Sequence, residues 1–409
     1  MHVLLIHQAF AALDEPGGTR HHELARYLVE KGHRVTILAS PVSYLTGKAR
    51  SGAQSEPEDS AGLTIRRVYT YPALHRSFAH RVISFLSFML SAFFAGLRVP
   101  DVDVVWGTSP PIFQVVTAWA LARLKRVPFL LEVRDLWPDF AIAVGVLRSP
   151  LLIRLSLWLE RSLYRRADQV LVNSPGFIDH VSGRGARRTA LVPNGSDPRM
   201  FDPALSGVEF RRLNGLTTRF VALYAGAHGL SNDLGVVLEA AQLLREHPDI
   251  TLVLLGDGKE KPALQQRARQ MGLQNLIFLP PLPKTRMAQA LAAADACIAI
   301  LKPIPLYATV YPNKVFDYMA AARPVVLAID GVIRQVVESV QAGIYVAPGD
   351  PAALAQAVLR LADDPALGAA MGVRGRHYVE THFDRAVLAN QLEQVLQNLV
   401  NSTCVPPGT

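Results

Sequence analysis

Short apolar runs recur along the whole chain, and a segment with helical spacing follows most of them. "HVLLIH" leads into "HHELARYLVEKGH" and then "RVTILAS"; "VDVVWGT", "PFLLEVRD", "QVLVNS" and "TALVPNG" come later. Strand–helix alternation of this kind predicts parallel sheets covered by helices on both faces, the doubly wound α/β class. After "LVPNGSDPRMFDPAL" and a polar stretch the pattern restarts with "FVALYAGAHG", "ITLVLLGDGK", "LIFLPPL", "ACIAIL", "PVVLAID" and "GIYVAP". Two series in 409 residues fit two domains, since a single core rarely grows beyond ~250–300 residues. The reading gives a first domain over 1–200, a second over 215–380, and a boundary near 198–218. A last helix over 385–400 returns to the first domain. The segment Gly47 to Gly62 reads as a surface loop, the tail "NSTCVPPGT" as disordered, and no short-period repeat occurs.

Composition removes several classes. With 50% hydrophobic and 19% charged residues, the chain is not a disordered one. Its two cysteines, Cys297 and Cys404, form no disulfide framework or zinc cluster and fit a reducing cytoplasm. The opening "MHVLLIHQAF" has too short an apolar run, and no basic region before it, for a signal peptide. A formal charge of +8 and a pI near 9.6 point to an anionic partner. The bases are scattered and no nucleic-acid module is present, so nucleic acid is not the expected partner.

One stretch, Phe78 to Val99, is apolar from Val82 to Leu97 between Arg81 and Arg98. It falls short of the ~20 residues that cross a bilayer. Two readings stay open: a buried helix of the α/β layer, or a helix that dips into a membrane interface with arginines at the headgroups. "LRSPLLIRLSLWLERSLYRRADQV" adds Arg148, Arg154, Arg161, Arg165 and Arg166 among leucines and a tryptophan. The pair favours peripheral contact with an anionic membrane surface, on the inner face of the plasma membrane.

Four loops can carry chemistry. In "DEPGGTRHHEL", Gly17 and Gly18 precede a helix opened by Thr19; paired glycines let amides approach a phosphate, although they equally make a plain turn. Arg20 strengthens the anion reading. In "YAGAHGLSND", Gly226 and His228 lie at a strand end, where a doubly wound domain holds its nucleotide. In "LLGDGKEKP", Gly256 and Asp257 belong to a strand-to-helix turn. In "YPNKVFDYMAAARPVV", a helix starts at Asn313 and puts Lys314 in its first turn, the end where the dipole disfavours a cation. An ion pair with Asp317 three residues on is the bland account, and it leaves the cation's placement unexplained. An anion over the helix start explains it, with Asp317 behind to take sugar hydroxyls: phosphate first and ribose next.

The set "LLGDGKEKPALQQRARQMGL", "VFDYMAAARPVV" and "GIYVAPGDPAALAQAV" resembles the second domain of the family 4 glycosyltransferases, retaining enzymes of the two-Rossmann GT-B fold, in which two doubly wound domains face a central cleft. "PGGTRHHELARYLVEKGHRVTIL" and "VPNGSDPRMF" look like that family's first-domain glycine loop and interdomain strand. "EVRDLWPD" with "YPNKVFDYMAAARPV" is most similar to the fucosamine-transferase branch of surface-polysaccharide assembly. The chain departs from the pattern in the last donor motif, where Thr309 and Asp317 stand in place of two glutamates. Arg134 stands where many members have histidine, and "AHGLSN" where a basic pair is common.

The resemblance implies sugar transfer, with retention, from a nucleotide diphosphate (a UDP-sugar) to the hydroxyl of a glycan or lipid-linked acceptor, with no cofactor and no metal. Lys314, Arg20 and the Gly17–Gly18 amides would draw off charge, Arg134 would touch donor sugar or phosphate, and Asp135 would handle the acceptor proton. A UDP-N-acetylhexosamine 2-epimerase of the same fold and a non-catalytic nucleotide-sugar-binding partner are the rival readings. Epimerisation without an acceptor would mark the first, and a cellular role that survives Lys314→Ala the second.

Overall fold

The computed structural model describes residues 1–43, 45–48, 58–72 and 78–404. The chain divides into two compact units. The first comprises Met1–Ala12, Gly18–Pro193 and Ala386–Thr409, the second Leu13–Gly17 and Asn194–Arg385. The boundary thus falls at 193/194, a few residues before the expected 198–218, and five residues of the first glycine loop group with the second unit.

The first unit is built on an eight-stranded sheet. Its strands are β1 (His2–His7), β2 (Arg34–Ala39), β3 (Glu58–Ser60), β4 (Leu63–Arg67), β5 (Val104–Ser109), β6 (Phe129–Val133), β7 (Gln169–Val172) and β8 (Thr189–Leu191), in the order β3-β4-β2-β1-β5-β6-β7-β8. Only β3 runs antiparallel, against β4. Both were missed in the sequence: β4, "LTIRR", alternates as a strand buried on one face does rather than reading as an apolar run, and β3 occupies the end of the stretch expected to be loop. The remainder of that stretch, 49–57, lies outside the described residues. The second unit has β9 (Phe220–Ala225), β10 (Ile250–Leu255), β11 (Leu276–Leu279), β12 (Ala296–Ile300), β13 (Val325–Ala328) and β14 (Gly343–Tyr345), ordered β11-β10-β9-β12-β13-β14 and all parallel. Both orders reverse beside the unit's first strand, which is the doubly wound signature.

Period two along β9 builds both layers of the second core. Val221, Leu223 and Ala225 face one cluster, and Phe220, Ala222 and Tyr224 the other. In the first unit the helices Arg20–Glu30 and Arg385–Cys404 share one layer, with Leu24, Leu28, Leu388, Leu392 and Leu396 in one cluster with Val3 and Leu5 of β1. Lys31 and His33 both bond Glu393 at 2.8 Å and fix this return helix at its exposed side. The helix continues through Asn401–Cys404, where the sequence predicts a disordered tail; 405–409 lie outside the described residues.

The helix Phe78–Leu97 corrects the buried reading. Ser84, Phe88, Ala92 and Gly96, four residues apart, form its buried seam. Gly96 allows the close approach there, because a Cβ would stand 2.4 Å from Leu121 Cδ1 and push that methyl aside. Ile83, Leu86, Leu90, Phe94 and Leu97 form the opposite stripe and are exposed.

Candidate active site

In the second unit the turns after β9 and β10 lie backbone against backbone. Gly226 N–H donates to Leu255 O at 2.9 Å, His228 N–H to Asp257 O at 2.7 Å, and Glu260 N–H to His228 O at 3.0 Å. Gly256 (φ +148°) admits no side chain, because a Cβ would stand 1.8 Å from Gly226 O. Lys261 Nζ closes the turn from below, donating to Gly256 O at 2.7 Å and Leu279 O at 3.0 Å. The Asp257 carboxylate accepts from its neighbour Gly258 N–H at 2.8 Å. The two strand ends are thereby one rigid cradle of peptide groups.

Lys314 enters that cradle. The helix Asn313–Ala320 positions it so that its ammonium sits 3.9 Å from the centroid of the Tyr224 ring. A Cβ on Gly226 would meet that nitrogen at 2.8 Å. Tyr224 is itself fixed by its hydroxyl, which donates to Ala227 O at 2.7 Å. The Nζ is buried, has no hydrogen-bond partner among the described residues, and is pushed down to about 7 by that burial. A cation–π contact offsets part of the desolvation and leaves three N–H donors unused. That is an incomplete electrostatic site, and an anion would complete it.

Asp317 does not pair with Lys314. Its carboxylate is held by Lys284 Nζ at 2.6 Å, by the Ser196 hydroxyl at 2.7 Å and by Asn313 Nδ2 at 3.2 Å. Asn313 Oδ1 accepts from Arg385 at 3.0 Å. The partner that claims Asp317 is thus a buried lysine from a remote helix start. His228 lies in the turn where the sequence puts it, but fully buried, with its ring 6.1 Å from Tyr224 and 6.3 Å from Phe278, and burial with the Lys261 and Lys314 charges pushes it down to about 4. A neutral imidazole shapes the cradle and can donate one N–H, but it carries no charge to a phosphate at neutral pH.

In the first unit Arg20 is likewise spent on structure. Its guanidinium donates to Glu132 Oε1 at 3.1 Å and to the carbonyls of Val192 and Pro193, both at 2.7 Å. Glu132 also accepts from His21 at 2.6 Å and from Trp106 Nε1 at 3.1 Å. Burial alone would raise the Glu132 carboxyl, but His21 and Arg20 beside it hold it at about 2. The expected phosphate ligand Arg20 is therefore the clamp of a buried cluster. Gly17 (φ +149°) groups with the second unit and Gly18 with the first; a Cβ on Gly18 would meet nothing within 4 Å, so open space borders it. Thr19 uses its hydroxyl on Glu23 at 2.6 Å instead of capping the helix.

Arg134 and Asp135 follow β6. Arg134 donates to the Thr108 hydroxyl and to Pro110 O, each at 2.6 Å, which fixes it at the carboxyl end of β5. Burial pushes the Asp135 carboxyl up to about 7 against the opposing pull of Arg134. Asp139, the other acid of "RDLWPD", is engaged by Arg184 at 2.7 Å. His7 is a residue the sequence reading passed over. It ends β1, is buried with neither ring nitrogen hydrogen-bonded among the described residues, and packs 4.3 Å from His21. Its position at a strand end beside the reversal of strand order could have marked it. The structure therefore gathers Gly226, His228, Gly256, Asp257 and Lys314 in one cradle, Asn313 and Asp317 in an adjoining cluster, and Arg134 with Asp135 in the first unit.

Two doubly wound units with these strand orders match the GT-B fold. A family model described as glycosyl transferase 4-like domain matches residues 17–195, and one described as glycosyl transferases group 1 matches 219–364. The chain belongs to the family 4 GT-B glycosyltransferases and is a transferase enzyme. It is 25% identical over 321 residues to WcaI of Escherichia coli K12, named for glycosyl transfer in colanic acid biosynthesis, covering 75% of this chain and 78% of that one. It is 27% identical over 372 residues to D-inositol 3-phosphate glycosyltransferase of Geodermatophilus obscurus, covering 85% and 79%. Sucrose-phosphate synthase from Thermosynechococcus elongatus superposes with a TM-score of 0.79 at 20% identity, over 98% of this chain and 99% of that one. Anabaena HepE in complex with UDP-glucose superposes at 0.73 and 17%, over 97% and 100%.

Proposed function

We propose that this enzyme transfers a sugar, with retention of configuration, from a UDP-sugar to a hydroxyl of a lipid-linked or surface-polysaccharide precursor. The observation that carries the reading is Lys314: a buried ammonium against the Gly226 turn, with unused donors and no counter-ion among the described residues. As the glycosidic bond breaks, negative charge grows on the leaving diphosphate. Lys314 and the glycine amides, fixed before reaction, are suited to stabilise it. Asp317, held by Lys284 and Ser196, is the proposed acceptor for the ribose hydroxyls. Asp135, with its raised pKa, is suited to take the acceptor proton, and Arg134 is the proposed first-unit contact to the donor.

The UDP assignment draws support from HepE, solved with UDP, with UDP and glucose, and with UDP-glucose. The polysaccharide assignment draws support from the WcaI likeness, and the fucosamine-transferase branch from the sequence resemblance alone. The reading has the enzyme cytoplasmic, working without a metal. Thermal shift against a panel of nucleotides and nucleotide sugars tests the donor, since a ligand that binds only the folded state raises its stability. UDP compounds should shift the transition, and the anomeric configuration of the product should match the donor's. No shift with any uridine compound refutes the reading. Conversion of UDP-N-acetylhexosamine without an acceptor gives it to the epimerase alternative.

A further inference from the structure

Three helices of the first unit pack side by side. The Phe78–Leu97 helix lays its seam on the Phe113–Lys125 helix, where Thr117 donates to Met89 O at 2.9 Å and Lys125 Nζ to Val99 O at 2.7 Å. The Pro150–Arg166 helix packs on the other side of Phe113–Lys125, with the Arg166 guanidinium 5.4 Å from the Trp119 ring. Large apolar side chains on these helices are left in solvent. Leu90 and Phe94 are each 57% exposed, Leu124 60%, Leu151 65%, Leu155 52% and Trp158 64%. Scattered exposed leucines are ordinary, but a run of them on neighbouring helices is not.

The charges are one-sided. Among the three helices the sole carboxylate is Glu160, which is fully buried and held by Arg184, His180 and Tyr164. Arg123, Arg126, Arg154, Arg161, Arg165 and Arg166 are all exposed. A soluble protein partner covering this area would need a matching acidic surface. An anionic bilayer supplies both parts at once, with acyl chains for the leucines and tryptophan and phosphates for the guanidinium groups. The Phe78–Leu97 helix has the length and hydropathy to cross a membrane. Its Ser84–Phe88–Ala92–Gly96 seam, however, is built into the helix layer, so it lies on the surface of the unit.

We infer that this helix layer docks the protein on an anionic lipid surface, with Leu90, Phe94, Leu151, Leu155 and Trp158 inserted and the arginines at the headgroups. The inference stands independently of the donor assignment. The test is co-sedimentation of the full chain with vesicles of phosphatidylcholine alone and with 30% phosphatidylglycerol. At about 0.1 M salt most of the protein should pellet with the anionic vesicles, at least tenfold more than with the neutral ones. Raising salt to about 0.5 M should release it, as the Debye length falls from ~10 Å toward ~4 Å. Leu155→Glu with Trp158→Glu should lower binding at least tenfold, while circular dichroism and the thermal transition stay unchanged. Arg154→Glu with Arg161→Glu should remove the preference for anionic lipid. Equal recovery on both vesicles, or recovery on neither, overturns the inference. So does a dimer in light scattering that the Leu155/Trp158 variant dissociates, because a second copy would then cover the face.

Discussion

Replacing Lys314 with methionine should make the ligand-free protein more stable and the enzyme inactive. The buried ammonium falls from its ordinary 10.5 to about 7, and at ~1.4 kcal/mol per pH unit that displacement corresponds to as much as roughly 5 kcal/mol. The stem is partly exposed, so about 2–5 kcal/mol is the expected range. Below about pH 7 folded and unfolded chains both hold the proton, and the folded chain carries the whole penalty. From pH 7 to 10.5 only the unfolded chain binds it, so wild-type stability climbs with pH through that window. Methionine keeps the length of the stem and removes the charge, and should raise the transition by roughly 5–15 °C at pH 6. That gain should shrink toward nothing near pH 10. UDP should shift the wild type and leave the variant unmoved. At pH 8 about nine in ten free wild-type molecules hold a neutral amine, so diphosphate binding should take up ~0.9 proton, read by calorimetry in two buffers of different ionisation enthalpy. A variant that is no more stable at pH 6, or that still shifts with UDP, refutes the reasoning.

Gly256→Ala places a methyl 1.8 Å from Gly226 O, and should abolish the UDP-induced thermal shift and lower the transition of the free protein. Arg20→Met leaves Glu132 without its permanent cation and should destabilise by about 3–5 kcal/mol in denaturant unfolding, with the UDP response retained. If Asp135 is the base, kcat should rise with pH through about 7, and Asp135→Asn should flatten that limb and lower kcat by roughly 10²–10⁴. EDTA dialysis should leave donor binding and turnover unchanged in a direct product assay.

Most of the architecture was legible because parallel strands buried on both faces must be written as continuous apolar runs. β1, β9 and β10 are buried at every residue, and all but His2, His7 and Thr251 of them are apolar. β4 was not, since a strand buried on one face alternates. The site was half legible. Lys314 announced itself by sitting at the wrong end of a dipole. Arg20 misled because local sequence shows the glycines beside it and hides the Glu132 that lies 112 positions on. The Lys314–Asp317 pair that one helix offers at i−3 does not form, as the placement of Lys314 argued; the cation that does reach Asp317, Lys284, comes from another helix and could not be read locally. The position of His228 at the strand end was legible, but its burial, and with it the loss of its charge, is a tertiary property that a residue letter cannot carry.

The Arg385–Cys404 helix belongs to the first unit although it is the last element of the chain. A ribosome making this protein finishes 193 residues and then spends the 192 residues from Asn194 to Arg385 on the other unit, about 10–40 s at 5–20 residues per second. During that interval the nascent first sheet waits with the surface meant for Leu388, Leu392, Leu396 and Leu399 uncovered, each worth ~1.5–3 kcal/mol when buried. A gene fragment ending at Pro193 should aggregate. One that joins 1–193 to 386–404 through a short linker should be the smallest soluble form of that half.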